Sequence, residues 1–265
     1  MIPRWFVAPA VGLGWFLLAG SSRAQEDRGE SLSAHHKSYE SPQNFAIEIR
    51  LSPYLPGVDS DPSLGGCTPF TDIFGKSPSF MVGAEFDWQA VRIKHLGTIG
   101  PGVGIGTVSF SAAAPNTGSS ASGRCISSSG TASGEQTSLT IYPMYAVAVL
   151  RADALWKEAG VPFVPYAKLG YGSAFWQASN TLGTSKYAGS VGQGYTVGTA
   201  FAIGLSFNLN VFDNYAARNF DEGMGVNSTY LFAEFTDLKL NGLWVQSDPL
   251  RVGGTSWTFG LDWEF

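Results

Sequence analysis

Along most of the chain, large apolar side chains recur at every second position, which is the period of a strand with two unlike faces. In NFAIEIRLSPY, Phe45, Ile47, Ile49 and Leu51 share one side, while Ala46, Glu48, Arg50 and Ser52 share the other. SFMVGAEFDW sets Phe80, Val82, Ala84, Phe86 and Trp88 against Met81, Gly83, Glu85 and Asp87. IGPGVGIGTVSFS sets Ile99, Pro101, Val103, Ile105 and Thr107 against a row of glycines at 100, 102, 104 and 106. In SLTIYPMYAVAVL, Leu139, Ile141, Pro143, Tyr145, Val147 and Val149 form the larger apolar set, alternating with Thr140, Tyr142, Met144, Ala146 and Ala148. FVPYAKLGYGSAF, TVGTAFAIGLSFNL, STYLFAEF and TSWTFGLDWEF follow the same rule, the last with Trp257, Phe259, Leu261, Trp263 and Phe265 on one side. Eight strands are predicted, and no helical period of comparable length competes with them.

The face opposite the bulky one is small and polar, with Glu48, Arg50, Glu85, Asp87, Lys168, Glu234 and Asp262 at isolated positions. A soluble sheet would need a second layer over its apolar face, and the sequence offers none. Bulky apolar groups turned to lipid and small or polar groups turned to a lumen are the rule of membrane-spanning barrels. The expected fold is therefore all-β: one transmembrane antiparallel up-and-down barrel of eight strands, with ten as the alternative count. The seven charged positions are expected to form a salt-bridge network in the lumen, since charges in a narrow interior must pair to offset desolvation.

Connections support the same topology. The odd-numbered ones, 55–77, 112–137, 176–194 and 237–255, are the longer and more Gly/Ser-rich, as expected outside the cell. The even-numbered ones, 89–98, 152–161 and 210–227, are expected to be periplasmic; the third is long for a turn and suits a short helix.

Composition and the first residues bear on compartment. Only 14% of the 265 residues are charged, against roughly 25% in ordinary soluble domains, and 14% are aromatic. The net charge of −5, with no Lys/Arg cluster, argues against a nucleic-acid partner. MIPRWFVAPAVGLGWFLLAGSSRAQ reads as a secretory signal peptide over residues 1–24, with Arg4 as the positive flank and Ser22-Arg23-Ala24 before the cut. Residues 25–41 are polar and read as a flexible periplasmic tail, and residues 42–265 as the barrel. Export also bears on Cys67 and Cys125, which fall in the first and second outer connections and are predicted to form a disulfide.

Thr258, Gly260, Trp263 and Phe265 resemble the C-terminal β-signal of outer-membrane proteins. That resemblance implies capture of the last strand by the barrel assembly machinery, delivery by periplasmic chaperones, and the outer membrane of a Gram-negative bacterium as the destination. SPQNFAIEIRLSPYLPGVDSD and NSTYLFAEF further resemble a family of predicted outer-membrane barrels from myxobacteria and their relatives. This second resemblance implies a single small barrel and supplies no catalytic residues.

Candidate chemistry is sparse. His35 and His36 lie in the tail and His95 in a predicted periplasmic turn, away from the outer rim where a barrel enzyme would work. Asp59 and Asp61 in DSDPSLGG lack the remaining ligands of a calcium loop. GPGVGIG lacks the Lys-Ser/Thr of a phosphate loop and reads as strand. No catalytic residue, metal or cofactor is expected. The expected role is that of a monomeric barrel in outer-membrane lipid, structural or interacting through its outer loops. A narrow channel for ions or small solutes is the alternative, and a lipid-active outer-membrane enzyme the third reading.

Overall fold

The computed structural model describes residues 44–115, 132–187, 190–212 and 214–265; the predicted signal peptide, the polar tail and Cys125 lie outside them. Eight long strands carry the architecture: β1 Phe45–Tyr54, β2 Ser79–Trp88, β3 Gly97–Pro115, β4 Ala132–Arg151, β5 Phe163–Asn180, β6 Gln193–Asn208, β7 Ser228–Lys239 and β8 Gly254–Glu264. Each pairs antiparallel with its sequence neighbour, and β1 also pairs with β8, so the sheet closes into a barrel. Closure removes every long edge, which is the condition for a strand protein to stand in lipid.

All eight strands coincide with the alternating segments of the sequence. Shorter pieces, Val91–Ile93 on β3 and Gly183–Thr184 on β5, extend the sheet locally without entering the barrel wall. Among the described residues, three α-helices lie in the connections: α1 Pro69–Phe74, α2 Ala154–Ala159 and α3 Asn214–Met224, the last in the long inner connection.

The outward face shows where the apolar band ends. On β3 it runs Ile99, Pro101, Val103, Ile105 and then turns to Thr107, Ser109 and Ser111. On β4 it runs Leu150, Ala148, Ala146, Met144, Tyr142 and then Thr140 and Ser138. These outward apolar stretches cover seven residues on β3 and nine on β4, close to the roughly 9–11 that a tilted strand needs to cross a bilayer. Above them β3 to β6, at 16 to 20 residues, rise past β1, β2, β7 and β8, at 10 to 12. There the exposed face is laced by hydroxyl pairs such as Ser109–Thr140 at 3.2 Å and Ser138–Ser179 at 2.9 Å.

The inward face departs from expectation in two ways. First, β4 is turned the other way round: Leu139, Ile141, Val147 and Val149 are buried in the lumen, and Tyr142, Met144 and Leu150 face out. The reason lies next door. The inward glycines of β3 leave space that only a large-residue face can fill, and in register Gly104 stands beside Tyr145 and Gly102 beside Val147. Second, the lumen is small and polar only in its lower half. Its outer half is an apolar core built around Tyr54, Met81, Val108, Phe110, Ile141 and Leu240.

The first outer connection closes that core from above. Asp59 accepts hydrogen bonds from the backbone N–H groups of Phe70, at 2.8 Å, and Thr71, at 2.9 Å, and so caps the start of α1. Phe70 then packs edge-on to Phe110 with ring centroids 5.0 Å apart, and Phe74 lies 6.3 Å from the same ring. The Tyr54 hydroxyl donates to the Val252 carbonyl and ties the end of β1 to the fourth outer connection. Asp59 is thus a helix cap, and Asp61 accepts from the Ser63 N–H at 2.8 Å in the preceding turn.

Candidate functional site

The lower lumen gathers the charged residues. Strand register fixes their levels: Glu48 stands directly beside Glu85 on β2 and Asp262 on β8, Arg50 beside Gly83 and Gly260, and Glu234 beside Gly204. Adjacent like charges such as Glu48 and Glu85 repel across a strand pair. They are held by Lys168 from β5 and by Arg50, two residues along β1 from Glu48. Lys168 Nζ lies 2.9 Å from both Glu48 carboxylate oxygens, 2.8 Å from Glu85 Oε1 and 3.3 Å from Glu234 Oε2. The Arg50 guanidinium reaches Glu48 at 2.5 Å and also bonds Glu85 and Glu234. All five side chains are at most 5% exposed.

A second node sits nearer the end of the barrel that carries α2 and α3. Arg151 bonds Asp262, lies 3.2 Å from Glu264 Oε1, and approaches Glu48 at 3.5 Å and Asp87 at 3.6 Å. Gln89 donates to Glu264 Oε1 at 2.7 Å and the Tyr230 hydroxyl donates to Oε2 at 3.0 Å. Aromatic rings fill the gaps between charges. Lys168 Nζ stands 5.0 Å from the Tyr166 ring centroid, and Arg50 lies over the rings of Tyr145 and Phe232 at 5.7 and 5.6 Å. Glycines make room for this: a Cβ on Gly104 would stand 2.2 Å from the Tyr145 ring, and one on Gly204 2.5 Å from the Tyr166 ring.

All seven lumen charges anticipated from the sequence are therefore buried in one connected cluster. Sequence reasoning missed Arg151, Glu264 and Tyr145. Arg151 and Tyr145 went unseen because the β4 face that carries them was assigned to lipid. Arg151 itself was the available signal, since it shares parity with Leu139 to Val149 and ends that face with a charge.

Among the described residues, Glu48, Glu85 and Asp87 bring carboxylate oxygens within 4.8 Å of one another, as a metal site would. Arg50 and Lys168 already engage the first two, so the protein's own cations meet that need. Six buried carboxylates nevertheless share the lumen with three cations, Arg50, Arg151 and Lys168. A cavity of about 10 Å³ lies among Arg50, Tyr145, Lys168, Ala202, Glu234 and Thr236, about one water molecule's worth.

The remaining anticipated residues lie elsewhere. Thr258 is buried in the lumen with its hydroxyl 3.0 Å from that of Thr236. Gly260 faces inward beside Arg50, while Trp263 lies on the outward side beside Ile47. The Phe265 carbonyl accepts from the Asn44 N–H at 2.7 Å, and its own N–H donates to the Phe45 carbonyl at 2.9 Å, so it completes the β1–β8 seam. Cys67 is buried in the first outer connection, and its anticipated partner Cys125 is outside the described residues. His95 is exposed in the turn before β3, 3.0 Å from Glu158 of α2 and apart from the lumen cluster.

No protein-family model and no curated protein matches the chain. Among solved structures it is similar to Ail, the attachment invasion locus protein of Yersinia pestis, at 12% identity and a TM-score of 0.42, over 84% of this chain and 97% of that one. It is similar to neisserial surface protein A at 12% identity and 0.40, over 83% and 97%. A third likeness, at 10% identity and 0.34, is to the N-terminal β-barrel domain of Pseudomonas aeruginosa OprF, over 84% and 100%.

Proposed function

We propose that the chain is a monomeric outer-membrane barrel of a Gram-negative bacterium, non-catalytic, whose filled lumen makes it a rigid mount for its outer loops. The observation that carries this reading is the outward apolar band, seven residues tall on β3 and nine on β4 and bounded above by serines and threonines, around a lumen whose charged cluster encloses a cavity for about one water. A soluble barrel would carry such bulk inside. Phe80 at 75% exposure and Leu169 at 65% would stand in water without any cover, a heavy cost for groups of that size.

On this reading residues 1–24 direct export, and Thr258, Gly260, Trp263 and Phe265 serve as the assembly signal, as in the outer-membrane proteins whose C-terminal signal they resemble. The seam made by β8 with β1 supports the second point, because a strand that closes the barrel is a sensible one for the assembly machinery to hold. Delivery by periplasmic chaperones belongs to the same reading.

The excess of lumen carboxylates over cations favours one second reading, a narrow path for cations. Recording across a planar bilayer separates the two. A filled barrel gives no unitary conductance above leak, whereas cation-selective steps would replace the scaffold reading with the channel one. Release of fatty acid or peptide by the purified barrel would instead revive an enzymatic role at the outer rim.

A further inference from the structure

We infer that α3 is an interfacial anchor: it lies along the periplasmic leaflet of the membrane and inserts its Phe220 and Met224 side among the lipid acyl chains. The inference rests on the membrane reading above and adds a second, separate contact with lipid. It starts from the connection between β6 and β7, which is far longer than a turn needs. Its base is pinned by Asn210, whose side chain donates to the Asn227 carbonyl at 2.9 Å and accepts from the Thr229 N–H at 3.3 Å. The Asn208 side chain accepts from the Asn210 N–H at 2.8 Å, so both ends of the connection are held at the barrel rim.

From that base the chain presents large apolar groups to its surroundings. Phe212 is 77% exposed, Tyr215 76%, Met224 70% and Phe220 48%. Phe220 and Met224 are one turn apart and share a side of α3, with Asp221 on its flank; Glu222 falls opposite, with Tyr215 beside it. Exposed rings alone would leave the occupant open. The wall settles it: Phe212 packs on Phe207 with centroids 5.8 Å apart, and Phe207 packs on Phe163 at 5.2 Å. Phe163 and Phe207 belong to the outward face of β5 and β6, so the outward aromatic stripe runs off the barrel as far as Phe212, at the entry to α3. A partner protein would have to bridge that stripe at the membrane surface; acyl chains are already there. With one basic residue, Arg218, against Asp221 and Glu222, α3 would attach by apolar burial rather than by attraction to anionic headgroups.

The test uses the folded full chain, with both native cysteines changed to serine, in phosphatidylcholine vesicles. Nitroxide labels are placed one at a time through Phe220→Cys, Met224→Cys, Glu222→Cys and, on the barrel wall, Ile203→Cys. Accessibility to oxygen, which favours the hydrocarbon, is compared with accessibility to a water-soluble nickel chelate. The expected result is an oxygen-to-nickel ratio severalfold higher at 220 and 224 than at 222, and unchanged in high salt. A low ratio at 220 and 224 with a high one at 203 overturns the anchor and leaves the barrel standing. A low ratio at 203 overturns both.

Discussion

Tyr145 on β4 donates a 2.6 Å hydrogen bond to Glu85 on β2, passing over Gly104 of the strand between them. The three residues sit at one level of the wall, and the glycine is what lets the phenol reach across. Changing Tyr145 to Phe removes a bond to a charged acceptor, worth about 1.5–3 kcal/mol. Changing Gly104 to Val drives a side chain into the ring and should cost about 1–3 kcal/mol by overpacking. Urea unfolding of the refolded barrel in detergent measures both; equal midpoints for all three proteins would contradict the arrangement.

Lys168 bridges Glu48, Glu85 and Glu234. Lys168→Met leaves buried carboxylates short of a cation and should destabilise the barrel by about 3–5 kcal/mol. The double change Lys168→Met with Glu48→Gln should recover part of that loss, because the two sites share one interaction. A double-mutant cycle with purely additive terms would show that the pair is not coupled.

Cys67 and Cys125 are the chain's two cysteines. Protein purified from an oxidising compartment should be lighter by two hydrogens than the reduced form and should resist thiol alkylation until reductant is added. Two alkylated thiols without reduction would refute the proposed bond between the outer loops.

Phe265→Ala tests the proposed assembly signal apart from stability. The amount of barrel in the membrane fraction should fall severalfold, while the unfolding free energy of refolded protein shifts by less than about 1 kcal/mol, as expected for a group at the rim. Unchanged membrane levels would remove the signal role.

The barrel was legible because its rule is local: parity along a strand says which residues share a face. Parity does not say which face points in. For seven strands the bulk of one face decided that, and Glu48, Lys168 and Glu234 fell into the lumen as expected. β4 carries apolar groups on both faces, so the choice depended on its neighbour, where the β3 glycines ask for Tyr145 and Val147 inside. Arg151 and Glu264 were lost with that choice or lay beyond it, and the apolar outer lumen was hidden because Phe70 reaches Phe110 from a connection, a contact no periodicity encodes. The helix in the long inner connection was readable as a departure from turn length, whereas the packing of Phe212, at its entry, on Phe207 needed coordinates.

The central claim, a closed barrel standing in the outer membrane, is tested most directly by fractionating cells and running the outer-membrane fraction on a denaturing gel with and without boiling. The account predicts that the protein is in that fraction and migrates at a different apparent mass when unboiled, because the closed sheet resists detergent until heated. A soluble periplasmic protein with identical migration in both lanes would contradict it.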